Sequence, residues 1–325
     1  MRRCVASLLL VLAAACKGDA GSATPPPAPP GPAQVEKAVE SAAGVATSTK
    51  TCELQPFEHT TPVPEASAAA WMPIDGHDAL VVTSDSGDDG AYAIVDPDSG
   101  KTLETGKLPL GAGASDDTEG MSAIGDRLYG LTSSGWMRVW QRKDKAFVLV
   151  DGPYPIGEVV DSPKHAAPAP NAVACPGPKT NCGRNYEGLC LAPPKPLGTV
   201  AAIPPACAGF AAAKGEGKLY CLTLGADGRY AAQPPPTIDT GWHHDMLADC
   251  AFAPDGALYV AANMFALGDV QQVTGWEDPA TAKLVDIGPL AIGFPETLAV
   301  RGDSFYRMSD MNGAPSLMAK WRCKR

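Results

Sequence analysis

The 325-residue chain carries 34 glycines and 32 prolines, about a fifth of its length, with 19% charged residues and a formal net charge of −10. Helix-breaking residues at this density exclude helical bundles, coiled coils and long-helix α/β enzymes. A hydrophobic share of 45% is ordinary for a folded core, so a wholly disordered chain is excluded as well.

The N-terminus reads as an address. Met1-Arg2-Arg3 is basic, Val5 to Ala15 is an apolar run, and the small residues Ala13-Ala14-Ala15 directly precede Cys16. This order predicts a signal peptide over residues 1–15, too short to persist as a membrane span. Small residues before a cysteine resemble a bacterial lipobox. That resemblance implies acylation of Cys16, by palmitate or a similar chain, and anchoring at the outer-membrane or periplasmic face of a bacterial cell envelope. The membrane is then the first partner, held through buried acyl CH2 groups. Plain secretion with Cys16 as a bystander is the alternative. Residues 16–50 form a linker, with Pro25, Pro26, Pro27, Pro29, Pro30 and Pro32 among Gly, Ala and Ser. Such a segment is an extended tether that cannot bury a core. The folded domain spans residues 51–325.

Eight of the ten cysteines lie in that domain, an even set that reads as disulfides in an exported chain. Cys175 and Cys182 are close enough in sequence to pair locally. Cys52 and Cys323 sit at the two ends of the domain, where a bridge would staple it shut. Cys190, Cys207, Cys221 and Cys250 stay unassigned. No C-x2-C element has a second pair, which argues against structural zinc. Loss of Arg2 and Arg3 with the signal moves the formal charge from −10 to −12, which disfavours nucleic acid as a partner.

The most informative feature is internal repetition. Glu119 to Thr132, Asp249 to Ala262 and Glu296 to Ser309 each place an acid nine residues before an apolar–Tyr pair, with a Gly/Asp turn between. Trp71 to Val82 repeats the pattern without the acid. A looser copy runs from Glu187 to Ala192 and, after an insertion, resumes at Gly217-Lys218-Leu219-Tyr220. Each copy predicts strand, tight turn, strand, followed by a third and fourth strand. Where no insertion intervenes the copies recur every 47 or 48 residues. Four strands in roughly 45 residues is the pattern of a β-propeller blade. The expected fold is therefore all-β, a single propeller of five four-stranded blades, with an open β-sandwich as the alternative. Residues 153–184 read as a disulfide-pinned loop; the count becomes six if they carry strands. Cys52-Glu53-Leu54-Gln55-Pro56-Phe57 is expected to supply the outer strand that the last blade lacks.

Glu-Gly before an apolar strand, then a Gly/Asp turn and Leu-Tyr, resembles the exported propellers of the esterase-like phytase and SdiA-regulated lipoprotein group, with Asn185-Tyr186-Glu187-Gly188-Leu189 as the nearest match. The likeness spans about 200 residues. It implies calcium near the channel.

On the blade reading, Glu119, Glu187, Asp249 and Glu296 open inner strands and converge on the central channel. Four carboxylates there repel one another unless a cation or protons intervene, and oxygen-only ligands suit calcium. The alternative is that each acid accepts backbone N–H bonds at its strand entrance. His243, His244 and Asp245 form the only histidine cluster, read as a loop at the channel mouth able to supply a general base or a metal ligand. Asp85-Ser86-Gly87-Asp88-Asp89-Gly90 has a calcium-loop flavour but reads as a hairpin turn, as does Arg301-Gly302-Asp303. No G-x-S-x-G elbow is present. The expected function is a lipid-anchored envelope propeller that binds a small molecule or an envelope protein, or acts as a scaffold. A calcium-dependent hydrolase of esterase or phosphatase type is the alternative.

Overall fold

The computed structural model describes residues 46–161, 173–194, 207–263, 268–311 and 313–324. The expected signal segment, Cys16 and the proline-rich part of the linker lie outside them. Among the described residues the chain is all-β, without a helix.

Strands β1 (Cys52–Gln55) and β2 (Thr60–Pro64) precede the first blade. That blade comprises β3 (Ala66–Ile74), β4 (His77–Ser84), β5 (Ala91–Val95) and β6 (Thr102–Lys107). Blade two has β7 (Thr118–Ile124), β8 (Arg127–Thr132), β9 (Trp136–Lys143) and β10 (Ala146–Pro155). Blade three has β11 (Tyr186–Leu191), β12 (Gly209–Ala213), β13 (Lys218–Leu224) and β14 (Tyr230–Asp239). Blade four has β15 (Leu247–Phe252), β16 (Leu258–Ala262), β17 (Asp269–Thr274) and β18 (Lys283–Pro289). Blade five has β19 (Phe294–Pro295), β20 (Ala299–Arg301), β21 (Ser304–Asp310) and β22 (Pro315–Cys323), completed by β1 and β2 on β22. Each sheet is an antiparallel meander whose first strand is innermost, as expected for a five-bladed propeller.

Strand chemistry follows position. The inner strand β3 is built largely of buried alanines, because little room is left around the axis. The outer strand β6 alternates half-buried and exposed residues, as one solvated face requires. Five apolar clusters occupy the five interfaces between blades. Each interface carries an edge-to-face ring pair: Tyr92–Phe147, Tyr129–Tyr230, Phe210–Trp276, Tyr259–Phe305 and Trp71–Tyr306. Such pairs add about 0.5–1.5 kcal/mol each beyond the area they bury. A modest aromatic content is thus spent where one blade meets the next.

Closure follows the sequence reading. β1 pairs antiparallel with β22, placing Cys52 opposite Cys323, and the two are disulfide-bonded. Cys175–Cys182 pins the loop after β10. The remaining four cysteines pair as Cys190–Cys250, which joins inner strands β11 and β15, and Cys207–Cys221, which ties the approach to β12 onto β13. Between β10 and β11 the described residues include an isolated bridge, Val159 to Ala174, and form no further blade.

One repeat is corrected. The sequence pattern places Gly217-Lys218-Leu219-Tyr220 at the strand beside β11, but Lys218–Leu224 is the third strand of its blade. The second is Gly209-Phe210-Ala211-Ala212-Ala213, fully buried and lacking the Leu-Tyr signature. Close packing favours its small residues: a Cβ on Gly209 would lie 2.5 Å from the Cys190 carbonyl oxygen.

Candidate functional site

The acids sit where the inner strands begin, and a shared backbone irregularity aims them. In β7 the ladder to β8 skips a residue between Thr118 and Gly120, leaving Glu119 on a bulge. In β11 the same skip between Tyr186 and Gly188 leaves Glu187 out. Glu296 occupies the corresponding place between β19 and β20, its N–H donating to the Met308 carbonyl at 3.0 Å. Ser67 holds the position in blade one and Ala248 in blade four. A bulged residue is released from the ladder and can be re-aimed. The glycine after each of the first two glutamates has its own reason. A Cβ on Gly120 would lie 2.3 Å from the Leu189 nitrogen, and one on Gly188 would lie 2.8 Å from the Cys250 nitrogen.

Asp249 departs from this ring. The hairpin after β7 turns in two residues, since Ile124 faces Arg127. The hairpin after β15 turns in three, since the Ala253 N–H bonds to the Ala257 carbonyl. The extra residue moves Asp249 one place inward, opposite Ala261 and in the register of Gly120. There its two oxygens accept the Cys250 N–H at 2.7 Å and the Leu298 N–H at 2.6 Å. Asp249 therefore does what the alternative reading described.

The first counter-charge at this end of the channel is internal. Lys214, in the turn from β12 to β13, places Nζ 2.8 Å from Glu187 Oε2 and 3.9 Å from Glu296 Oε1. Asn185 Nδ2 donates to the other Glu187 oxygen at 3.1 Å. Burial works against the lysine's charge, but Glu187 and Glu296 outweigh it and hold the ammonium protonated.

Two further acids complete the site. Asp85 follows β4 and Asp117 precedes β7. With Glu119 they bring carboxylate oxygens within 4.8 Å of one another. Ser133 Oγ donates to Asp117 Oδ2, and a protonated Asp85 carboxyl donates to Asp117 as well; beyond these two groups the buried Oδ1 meets no donor. No hydrogen bond to the Glu119 carboxyl forms among the described residues, although that residue is only 5% exposed. Burial, and then the Asp117 charge, push Asp85 up to about 8. Burial and Glu187 push Glu296 up to about 8. Burial also raises Glu187, to about 7, against the pull of Lys214. Burial, then the Glu187 charge, hold Glu119 well above the ordinary carboxylate range, and burial raises Asp117 against its Ser133 bond. The cluster needs protons or a cation to sit there.

The channel is polarised. At the opposite ends of the same strands it opens into a funnel of about 260 Å3 whose side chains are mainly apolar, including Trp71, Met121, Leu189, Leu191, Phe252 and Val300. The histidine loop lies at the rim of the acid end, apart from the cluster. His243 Nδ1 is 2.9 Å from the Glu216 carbonyl oxygen, and its Nε2 is 3.6 Å from Asp239. His244 and Asp245 are exposed, both with left-handed backbone, and the Asp245 charge helps to raise Glu187.

Of the sequence-predicted acids, Glu119, Glu187 and Glu296 come together and Asp249 does not join them. Asp85, Asp117 and Lys214 were missed. Asp117 lies in the acidic run Asp116-Asp117-Thr118-Glu119, a signal that was available. Asp85 sat inside a stretch read as a turn, and Lys214 depended on the blade-three register.

No protein-family model matches the chain, and no curated protein matches it. Among solved structures it is similar to the glutaminyl cyclase of Myxococcus xanthus, at 12% identity over 84% of this chain and 97% of that chain, with a TM-score of 0.43. It is also similar to a protein from Lactobacillus plantarum, at 15% identity over 83% of this chain and 90% of that chain, with a TM-score of 0.39. Neither likeness carries an activity over to this chain.

Proposed function

We propose that this propeller is a lipid-anchored binding module of the bacterial envelope whose working site is the acidic end of the channel, occupied by calcium. The observation that carries this reading is the convergence of Asp85, Asp117 and Glu119, with oxygens within 4.8 Å and the buried Asp117 Oδ1 meeting no donor but a protonated Asp85. Three hard oxygen donors and no sulfur or imidazole suit calcium better than zinc or copper. The ion would join the end of β4 to the start of β7, bracing blade one against blade two at the channel mouth. A small molecule or an envelope protein would then bind at that mouth. Membership of the esterase-like phytase and SdiA-regulated propeller group belongs to the same proposal, supported by the Glu119-Gly120 and Glu187-Gly188 pairs. Anchoring rests on Ala13-Ala14-Ala15-Cys16.

Calorimetric titration of the EDTA-stripped protein with calcium tests the site. The expected result is saturable binding that weakens at least tenfold in Asp117→Asn and Glu119→Gln. Absence of binding, or binding that both variants retain unchanged, would contradict it. For the anchor, Cys16→Ser is expected to move the protein from the membrane to the soluble envelope fraction; an unchanged membrane fraction would contradict acylation at Cys16.

A further inference from the structure

We infer that Lys214 is a built-in cation filling a second cation position of the channel, and that its ammonium limits the acidic end to one divalent ion. The inference rests on the calcium reading only for the first ion.

The lysine is held in place by its backbone. Its N–H donates to the Asn185 carbonyl at 2.9 Å, and its own carbonyl accepts the Gly217 N–H at 3.2 Å. Asn185 in turn clamps the Glu187 carboxylate that Lys214 neutralises. The ammonium thus stands on Glu187, within 3.9 Å of Glu296, and its charge is further stabilised by Glu119. These three glutamates are the bulge residues of blades three, five and two. Glu119 is 5% exposed and Glu296 9% exposed, and among the described residues neither side chain has a hydrogen-bond donor. Such groups offer oxygen atoms to an incoming cation at little cost in broken bonds. While the ammonium is present, a divalent ion among the three would meet a like charge at contact distance, which is strongly unfavourable at low dielectric. Without it, Glu187 and Glu296, with Glu119 bridging from the first ion, become an oxygen-only set of the kind calcium takes.

The test replaces the charge and keeps the length. Calcium stoichiometry is measured by calorimetry, with terbium luminescence as a second readout, on the full chain, Lys214→Met and Lys214→Arg. The expected counts are one ion for the wild type, two for Lys214→Met and one for Lys214→Arg. A folded Lys214→Met that binds one ion with unchanged affinity overturns the inference, and so does a wild type that binds two. Circular dichroism guards against loss of fold: a Lys214→Met chain unfolded in EDTA is expected to regain its β signal in millimolar calcium. A chain that stays unfolded there overturns the inference. A wild type that binds none beside a Lys214→Met that binds one would support the lysine's role while sinking the calcium proposal; no binding by either would sink both.

Discussion

The Asp249 carboxylate accepts the Leu298 N–H at 2.6 Å, across the boundary between blades four and five. One extra residue in the hairpin after β15 converts an acid of the channel ring into a staple between inner strands. Asp249→Ala would leave the Leu298 and Cys250 N–H groups buried and unpaired, a loss of about 1–3 kcal/mol per group. Urea melts are expected to show that loss while calcium affinity stays at the wild-type value. A variant with wild-type stability and weakened calcium binding would return Asp249 to the ring.

The raised carboxyls set a sign for pH dependence. Asp85 and Glu296 lie near 8 and Glu187 near 7 in the fold, against ordinary values of 3.8 for Asp and 4.5 for Glu. Between those limits the native state holds protons that the unfolded chain has released, so stability falls as pH rises. In EDTA the Tm is expected to decline from pH 5 to pH 8. Calcium is expected to reduce the decline in part, because the ion replaces the proton on Asp85 while Glu187 and Glu296 lie beside Lys214 and away from the ion. A Tm that rises over this range in EDTA would contradict the burial of these groups.

Ring closure should dominate over the local loop. The Cys52–Cys323 bridge closes a separation of 271 residues and Cys175–Cys182 one of 7. On the chain-entropy estimate these are worth about 6 and about 2 kcal/mol. Denaturant midpoints of Cys52→Ser/Cys323→Ser and Cys175→Ser/Cys182→Ser are expected to fall in that order. The reverse order would argue that β1 and β22 remain paired in the unfolded ensemble.

Gly120→Ala is expected to destabilise by about 1–3 kcal/mol, the usual range for overpacking, since its Cβ would meet backbone atoms of β11. A melt within error of the wild type would show that β7 and β11 are less closely packed than described.

Much of this molecule is legible in its sequence. The Gly/Asp turns followed by an apolar residue and Tyr mark hairpins whose spacing counts blades, and a cysteine at each end of the domain announces the closure. The site is less legible because its geometry depends on single-residue register. Glu119 and Asp249 stand equally far from their Leu-Tyr pairs, yet a two-residue and a three-residue turn send them to different places. Lys214 lies beyond an insertion and carries no pattern of its own. Asp85 comes from the turn between β4 and β5, so only the curvature of the ring brings it beside Asp117.

The most direct measurement is a crystal structure of the protein grown in calcium, with anomalous data collected at long wavelength. One anomalous peak is expected in contact with carboxylate oxygens of Asp85, Asp117 and Glu119, and none between Glu187 and Glu296, where Lys214 stands. A fully ordered acidic mouth without a peak at those three residues would contradict it.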